Sequence, residues 1–105
     1  MYEGYTNFET WSVSLALDND RVFYNLSRAA AQQAKKDAKN AEQIKWGIWT
    51  SYQAELFLLT DTLKEFFEAR VEDFDLPAPF ADLLSGAVSS VNWGEIAQEL
   101  LEEKE

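Results

Sequence analysis

The side chains able to act on a ligand are nearly all carboxylates. The chain carries nineteen Asp and Glu against nine Lys and Arg, with no His and no Cys. The commonest general base is therefore missing, and so is the thiolate as nucleophile or soft metal ligand. What remains is acid–base work by a matched carboxylate pair, hard-cation binding, or attraction of a basic surface. For acid–base work, carboxylate pairs are so abundant that none is singled out, and no Ser–Lys arrangement stands out either. The chain reads as a non-enzyme, with no catalytic residue and no cofactor. For cations, Asp18-Asn19-Asp20 and Glu72-Asp73-Phe74-Asp75 gather oxygens close in sequence. Neither has the glycine and distal glutamate of an EF-hand loop, and no Glu-x-x-His supports a di-iron bundle. Helix caps and helix ends account for both clusters, so no metal site is assigned.

Attraction of a basic surface is the chemistry with a pattern behind it. Asp61, Glu65, Glu68, Glu72 and Asp75 recur at i, i+4, i+7, i+11 and i+14, which places them on one side of a helix. Leu56, Leu59, Leu63, Phe66, Phe67 and Phe74 fall on the opposite arc. The acidic spacing puts a charge roughly every 5 Å along the axis. A DNA strand shows a phosphate about every 3.4 Å, so several such helices side by side approach its charge density. Asp82, Glu95, Glu99, Glu102 and Glu103 offer material for a second stripe. The expectation is a binding protein whose acidic face occupies a basic protein surface, a DNA-binding protein among the candidates, in the manner of a DNA mimic. The plain alternative is an acidic face that is only solvated, on a structural or oligomerisation module.

The whole net charge of −10 lies in residues 55–105, with thirteen acids against Lys64, Arg70 and Lys104; residues 1–54 balance six against six. That half repels phosphate backbones and anionic lipid, which argues against direct nucleic-acid or membrane binding. A basic second helix lying beside it is an internal alternative. No apolar run spans a bilayer and no signal peptide is evident, so a cytoplasmic location is expected. At 105 residues, 47% apolar and with fifteen aromatics, the chain suits one domain with one packed core.

No stretch alternates in the strand manner, and the elements that must position these residues all read as helices. Thr6-Asn7-Phe8-Glu9 has capping-box spacing and starts a first helix, to about Leu17, with Phe8, Trp11, Leu15, Val13 and Leu17 inward. Asp18-Asn19-Asp20 ends it and caps a second over about 21–39, packed through Val22, Phe23, Leu26, Ala30 and Ala34. Lys35, Lys36 and Lys39 suit its carbonyl end. Asn40 with Gln43 opens a long central helix to about Phe74. Its first part, Ile44 to Tyr52, is apolar on more than one side and reads as a buried axis. It is either continuous or kinked, near 47–50 at Gly47 and Thr50 or near 60, where Leu59-Thr60-Asp61 resembles a second start. Pro77 and Pro79 mark a turn. A fourth helix, about 80–89, places Phe80, Leu83, Leu84, Ala87 and Val88 on one face. A fifth, from Trp93 to about Glu102, is capped by Asn92 with Glu95, with Val91 and Ile96 as the staple. The fold class is all-α, a compact bundle of about five helices around a long central one.

Two segments are familiar. Thr6-Asn7-Phe8-Glu9-Thr10-Trp11-Ser12-Val13, continuing through Leu15 to Asn19, and Val91-Asn92-Trp93-Gly94-Glu95-Ile96-Ala97 resemble the two signatures of a family of small uncharacterised proteins of phages, plasmids and bacterial genomes. Ser12 and Ala16 depart from it, where an Asn and a large aromatic are usual. The resemblance implies a mobile-element setting, with antagonism of host defence as one role, and lends no catalytic residue. Trp11 and Trp93 each follow a cap and start an apolar face, so they are expected to lie near one another. Trp46 and Trp49 read as core anchors rather than a partner pocket.

Overall fold

The computed structural model describes residues 2–40, 46–47 and 49–103. Five helices account for most of them: α1 (Phe8–Asn19), α2 (Arg21–Ala38), α3 (Ser51–Asp73), α4 (Ala78–Ser89) and α5 (Trp93–Glu102). Among the described residues there is no strand, only a bridge between Tyr2 and Tyr5. Glu3 and Gly4 between them have φ of 49° and 87°, the two positive angles of a type I′ turn. α3 lies against α2 on one side and α5 on another, α1 packs on α2 and α5, and α4 rests on α3. The molecule measures 46 × 27 × 25 Å.

α5 supplies the centre. Trp93, Ile96, Ala97, Leu100 and Leu101 are all buried, and Asn92 accepts from the Glu95 amide as its cap. Leu17, Ala31, Ala34, Leu59, Leu63 and Val91 close around them. α2 meets the expected face in part: Ala34 is buried and Phe23 and Ala30 pack on the core, but the fully buried positions lie to one side of that face. Ser27, Ala31, Ala34 and Ala38 are buried at i, i+4, i+7 and i+11, while Val22 and Leu26 face solvent. Three alanines and a serine let the α2 backbone come close to its neighbours, which larger side chains would hold apart. Ser27 meets its own need by donating to the Tyr24 carbonyl at 3.0 Å.

The central helix is broken. Gly47 has φ of +75°, which a right-handed helix does not admit, and Trp46 beside it is 70% exposed. A new helix starts at Ser51, where the Thr50 hydroxyl accepts from the Gln53 amide and the Gln53 side chain accepts from the Thr50 amide. A helix continuous through 47–50 is therefore not found, and what immediately precedes Trp46 lies outside the described residues. The buried axis from Ile44 to Tyr52 is not found either, because Trp46 and Tyr52 are exposed; Ile44, Ile48 and the Asn40–Gln43 start involve positions outside the described residues. α3 then runs unbroken past Thr60, whose hydroxyl donates back to the Leu56 carbonyl at 2.6 Å instead of capping a second start.

α1 and α4 also correct the expected faces. In α1 the buried positions are Thr10, Ser14 and Leu17, whereas Phe8 and Leu15 are exposed. In α4, capped at Pro77 with Pro79 in its first turn, no residue is fully buried. Ala81, Leu84 and Val88 are half-buried, while Phe80 and Leu83 project outward. No helix is long and apolar enough to cross a membrane among the described residues.

Candidate functional site

The acidic row stands on α3. Asp61, Glu65, Glu68 and Glu72 are all exposed and, at about 100° per residue, lie within an arc of about 60°. They span roughly 16 Å of helix axis. Asp75 lies outside the row because α3 ends at Asp73 and Phe74 has left helical geometry, with ψ of 124°. Two cations answer the acids of α3. Lys64 reaches Glu68 at 3.9 Å, and Arg70 reaches Asp73 at 3.4 Å while its guanidinium lies 5.0 Å over the Phe66 ring. Both pairs are exposed and contribute at most about 0.5 kcal/mol each. Asp61, Glu65 and Glu72 have no ion pair among the described residues, so their charge faces water. Glu68 and Glu72 also edge an open groove of about 530 Å³, with Thr60 and Lys64 on the α3 side and Ser85 and Ser89 on the α4 side.

Three of the five acids offered for a second stripe are hydrogen-bonded by other parts of the fold. The Glu95 carboxylate accepts the Thr6 amide and the Thr6 hydroxyl, each at 2.9 Å. Glu99 accepts the Tyr5 hydroxyl at 2.9 Å. Glu103 accepts Arg28 Nε and Nη2 at 2.9 Å, a bidentate pair. Asp82 and Glu102 are exposed and have no such partner among the described residues.

These bonds show what the two signature segments do: they meet each other. Asn7, one residue later than expected, is the α1 cap, its side-chain oxygen accepting from the Thr10 amide and hydroxyl at 2.9 and 2.6 Å. Its amide nitrogen crosses to donate to the Ser90 carbonyl at 2.7 Å. Asn92 mirrors it. The side-chain oxygen caps α5, the amide nitrogen donates to the Thr6 hydroxyl at 3.2 Å, and the backbone N–H donates to the Thr10 hydroxyl at 2.8 Å. Two helix starts thus cap themselves with one end of an asparagine and hold each other with the other. Thr6 is not its own helix's cap: its hydroxyl oxygen accepts from the Asn92 amide nitrogen instead, while its N–H and O–H both donate to Glu95. Beneath this clasp Ser14 donates to the Tyr5 hydroxyl at 3.0 Å. The Tyr5 phenol is held above its ordinary 10.0 by burial first, with Glu99 adding to that against the opposing Ser14 bond.

Arg28 joins three helices below the clasp. Besides Glu103 it donates to Asp18 and to the Leu17 carbonyl, both at 2.8 Å, and to the Ser27 hydroxyl at 3.1 Å, and it lies 4.0 Å over the Tyr24 ring. Burial opposes its charge, yet the hydrogen bonds it donates to Glu103 and Asp18 outweigh that and hold the guanidinium above its usual value. The same hydrogen bond holds Glu103 below its ordinary range, against a smaller desolvation. The basic residue that answers the acidic half from within is therefore Arg28. Asp18 is engaged here, and Asp20 caps α2 through the Val22 and Phe23 amides. Among the described residues no group of three or more His, Cys, Asp or Glu is placed to hold a metal ion.

The tryptophans of the two segments serve separate clusters. Trp11 packs on Tyr2 and Phe8, with ring centroids 5.1 and 5.8 Å away, and Trp93 packs on Phe67 at 4.9 Å. Trp49 meets Phe57 at 5.2 Å. The segments touch through their polar residues. Spacing signalled that part: Thr10, Ser14 and Leu17 share a face at i, i+4 and i+7, but their polarity masked it. Ser12 and Ala16, the two departures from the signature, are both exposed on the outer side of α1.

A protein-family model described as a family of unknown function (DUF7249) matches residues 1–104, the middle of the chain as well as its two ends. No curated protein and no solved structure matches the chain.

Proposed function

The chain belongs to this family of unknown function, and from that premise we propose that it acts by binding, its α3 acidic face occupying a basic surface on a partner protein. The observation that carries the proposal is the state of those carboxylates: Asp61, Glu65 and Glu72 are exposed and without an ion pair among the described residues, while Glu95, Glu99 and Glu103 are held in the fold. Unneutralised charge gathered along one helix face raises the rate and specificity of encounter with a basic partner. A DNA-binding protein is such a partner, and displacement of its DNA is the corresponding activity. The mobile-element setting implied by the two end motifs belongs to this proposal, with antagonism of a host-defence nuclease as its physiological form.

The test is retention of host proteins on the immobilised protein, with the acidic face intact and with Glu65→Lys, Glu68→Lys and Glu72→Lys combined. A set of basic proteins held by the first, absent from the second, eluted by salt and releasing bound DNA on addition of the protein supports the reading. An identical retained set on both ends it.

A second reading, an oligomerisation module, is favoured by α1. Phe8 and Leu15 are exposed on its outer side, with Tyr2 packed 5.3 Å from Phe8. It predicts a mass in analytical ultracentrifugation that rises with concentration, falls on Phe8→Ser with Leu15→Ser, and ignores charge reversal on α3.

A further inference from the structure

The seam between α2 and α3 is not filled along its whole length. A slot of about 160 Å³ lies in it, walled by Phe23 and Ala30 of α2, Leu63, Phe66 and Phe67 of α3, and Leu17 of α1. Leu17 and Leu63 are buried, and Ala30 and the three phenylalanines are half-buried. Leu26 and Thr62 also line it and are both exposed, which places the opening between them. The space exists because α2 sets small side chains, Ser27 and Ala30, into this part of the seam.

The lining selects a ligand by what it lacks. Among the described residues no charged side chain lines the slot. The Ser27 hydroxyl already donates to the Tyr24 carbonyl and accepts from Arg28. An ordered water needs about two to four polar partners, and Thr62 at the opening offers one hydroxyl. A charged molecule would give up its hydration here and gain no partner. An apolar one gives dispersion contacts to lining atoms that otherwise have nothing against them. The cleft between α1, α2 and α5 differs, with Asp18, Arg28 and Glu103 in its wall, and so does the groove that Lys64, Glu68 and Glu72 edge.

Volume and ring geometry narrow the class further. An apolar cavity of about 150 Å³ lined by leucine, isoleucine and phenylalanine stays dry and takes up benzene. The slot matches that size and lining, and its opening gives a route in from solvent. Phe23 and Phe67 lie 20° from parallel with centroids 6.0 Å apart, and Phe66 stands edge-on to both, at 82° and 79°. A guest ring can meet faces and edges there, the contacts that aromatic pairs prefer.

We propose that the α2–α3 slot binds a small uncharged aromatic molecule, a single six-membered ring with no more than a short apolar substituent. None of Asp61, Glu65, Glu68 and Glu72 lines the slot, so this site stands or falls separately from the acidic face.

The probe is toluene, beside benzoate, which carries the same ring with a charge on it. Each is titrated into the isotope-labelled protein and followed by amide and methyl NMR shifts. Toluene is expected to move the signals of Ala30 and Leu63 saturably and to raise the thermal midpoint. Benzoate at equal concentration should do neither. Ala30→Leu puts a side chain into the slot and should weaken toluene binding about tenfold or more, while its thermal midpoint reports whether it folds. Leu26→Ser removes one lip of the opening at a position 46% exposed and should weaken binding several-fold. Leu83→Ser, at an exposed apolar site on α4 outside the slot, should change nothing.

Saturable toluene binding that Ala30→Leu and Leu26→Ser weaken, and that benzoate does not reproduce, supports the site. If Ala30→Leu does not fold, the Leu26→Ser titration decides alone. The absence of a saturable shift with toluene overturns the inference, as does an equal response to benzoate. So does binding that both variants leave unchanged, or a shift pattern centred on Phe80 or on Tyr2 and Phe8, which would put the ring on an exposed aromatic surface instead.

Discussion

Thr10 is wholly buried and uses its hydroxyl twice, donating to Asn7 and accepting the Asn92 amide. Thr10→Val keeps the shape and strips both bonds, leaving a buried N–H without an acceptor. The expected loss is about 1–3 kcal/mol in urea denaturation. Leu15→Ser, one of the larger chemical changes available in α1, should stay within about 0.5 kcal/mol because Leu15 is exposed. That ordering is the reverse of what residue type suggests. It was not legible locally, since what turns Thr10 inward is a segment 82 positions away. The charged residues give a pH signature. Glu103 is depressed in the folded state, so the stability it adds is complete above its ordinary 4.5 and fades as pH falls through the lower folded value. Arg28 is raised, so its own contribution is complete across the acid and neutral range and fades only at extreme alkalinity. Glu103→Gln should therefore lower stability near neutrality and lose less than the wild type on acidification below pH 4.5, as read from urea midpoints across the acid range.

At the scale of elements, the helices differ in how much holds them. Thr50→Ala removes the side-chain half of the α3 capping box and should cost about 1 kcal/mol. Gly47→Ala forces a side chain into a left-handed backbone and should cost about 1–2 kcal/mol, both read from thermal unfolding. α4 has no fully buried residue and α5 has five, so amide hydrogen exchange should release α4 well before α5. α5 was readable in full, because its cap and its apolar positions lie within eleven consecutive residues. α4 showed equally good periodicity and still left Phe80 and Leu83 in water. Periodicity tells which residues share a face, and whether anything covers that face is decided by the other elements. The break before α3 was readable as a choice of sites from Gly47 and Thr50. The buried axis was misjudged because Trp46 is apolar but sits beside a left-handed glycine.

For the whole molecule, the all-α class and helix number followed from spacing, and the acidic half followed from counting charges. Which acids are exposed did not, because Glu68 and Glu95 look alike until Thr6 is seen to claim the second. The clasp also has a kinetic meaning. The Thr6–Glu95 bonds span 89 positions, and closing such a loop in a disordered chain costs about 4 kcal/mol in entropy before any contact repays it. A pair of polar contacts that remote has little chance of forming ahead of the α2–α3 and α3–α5 packing. It belongs to the last step of folding and the first of unfolding. Glu95→Gln should leave the refolding rate nearly unchanged and raise the unfolding rate, which stopped-flow chevrons would read directly. The two signatures at the ends of the chain would then act as a latch on residence time in the native state, setting how long the molecule stays shut rather than how fast it closes.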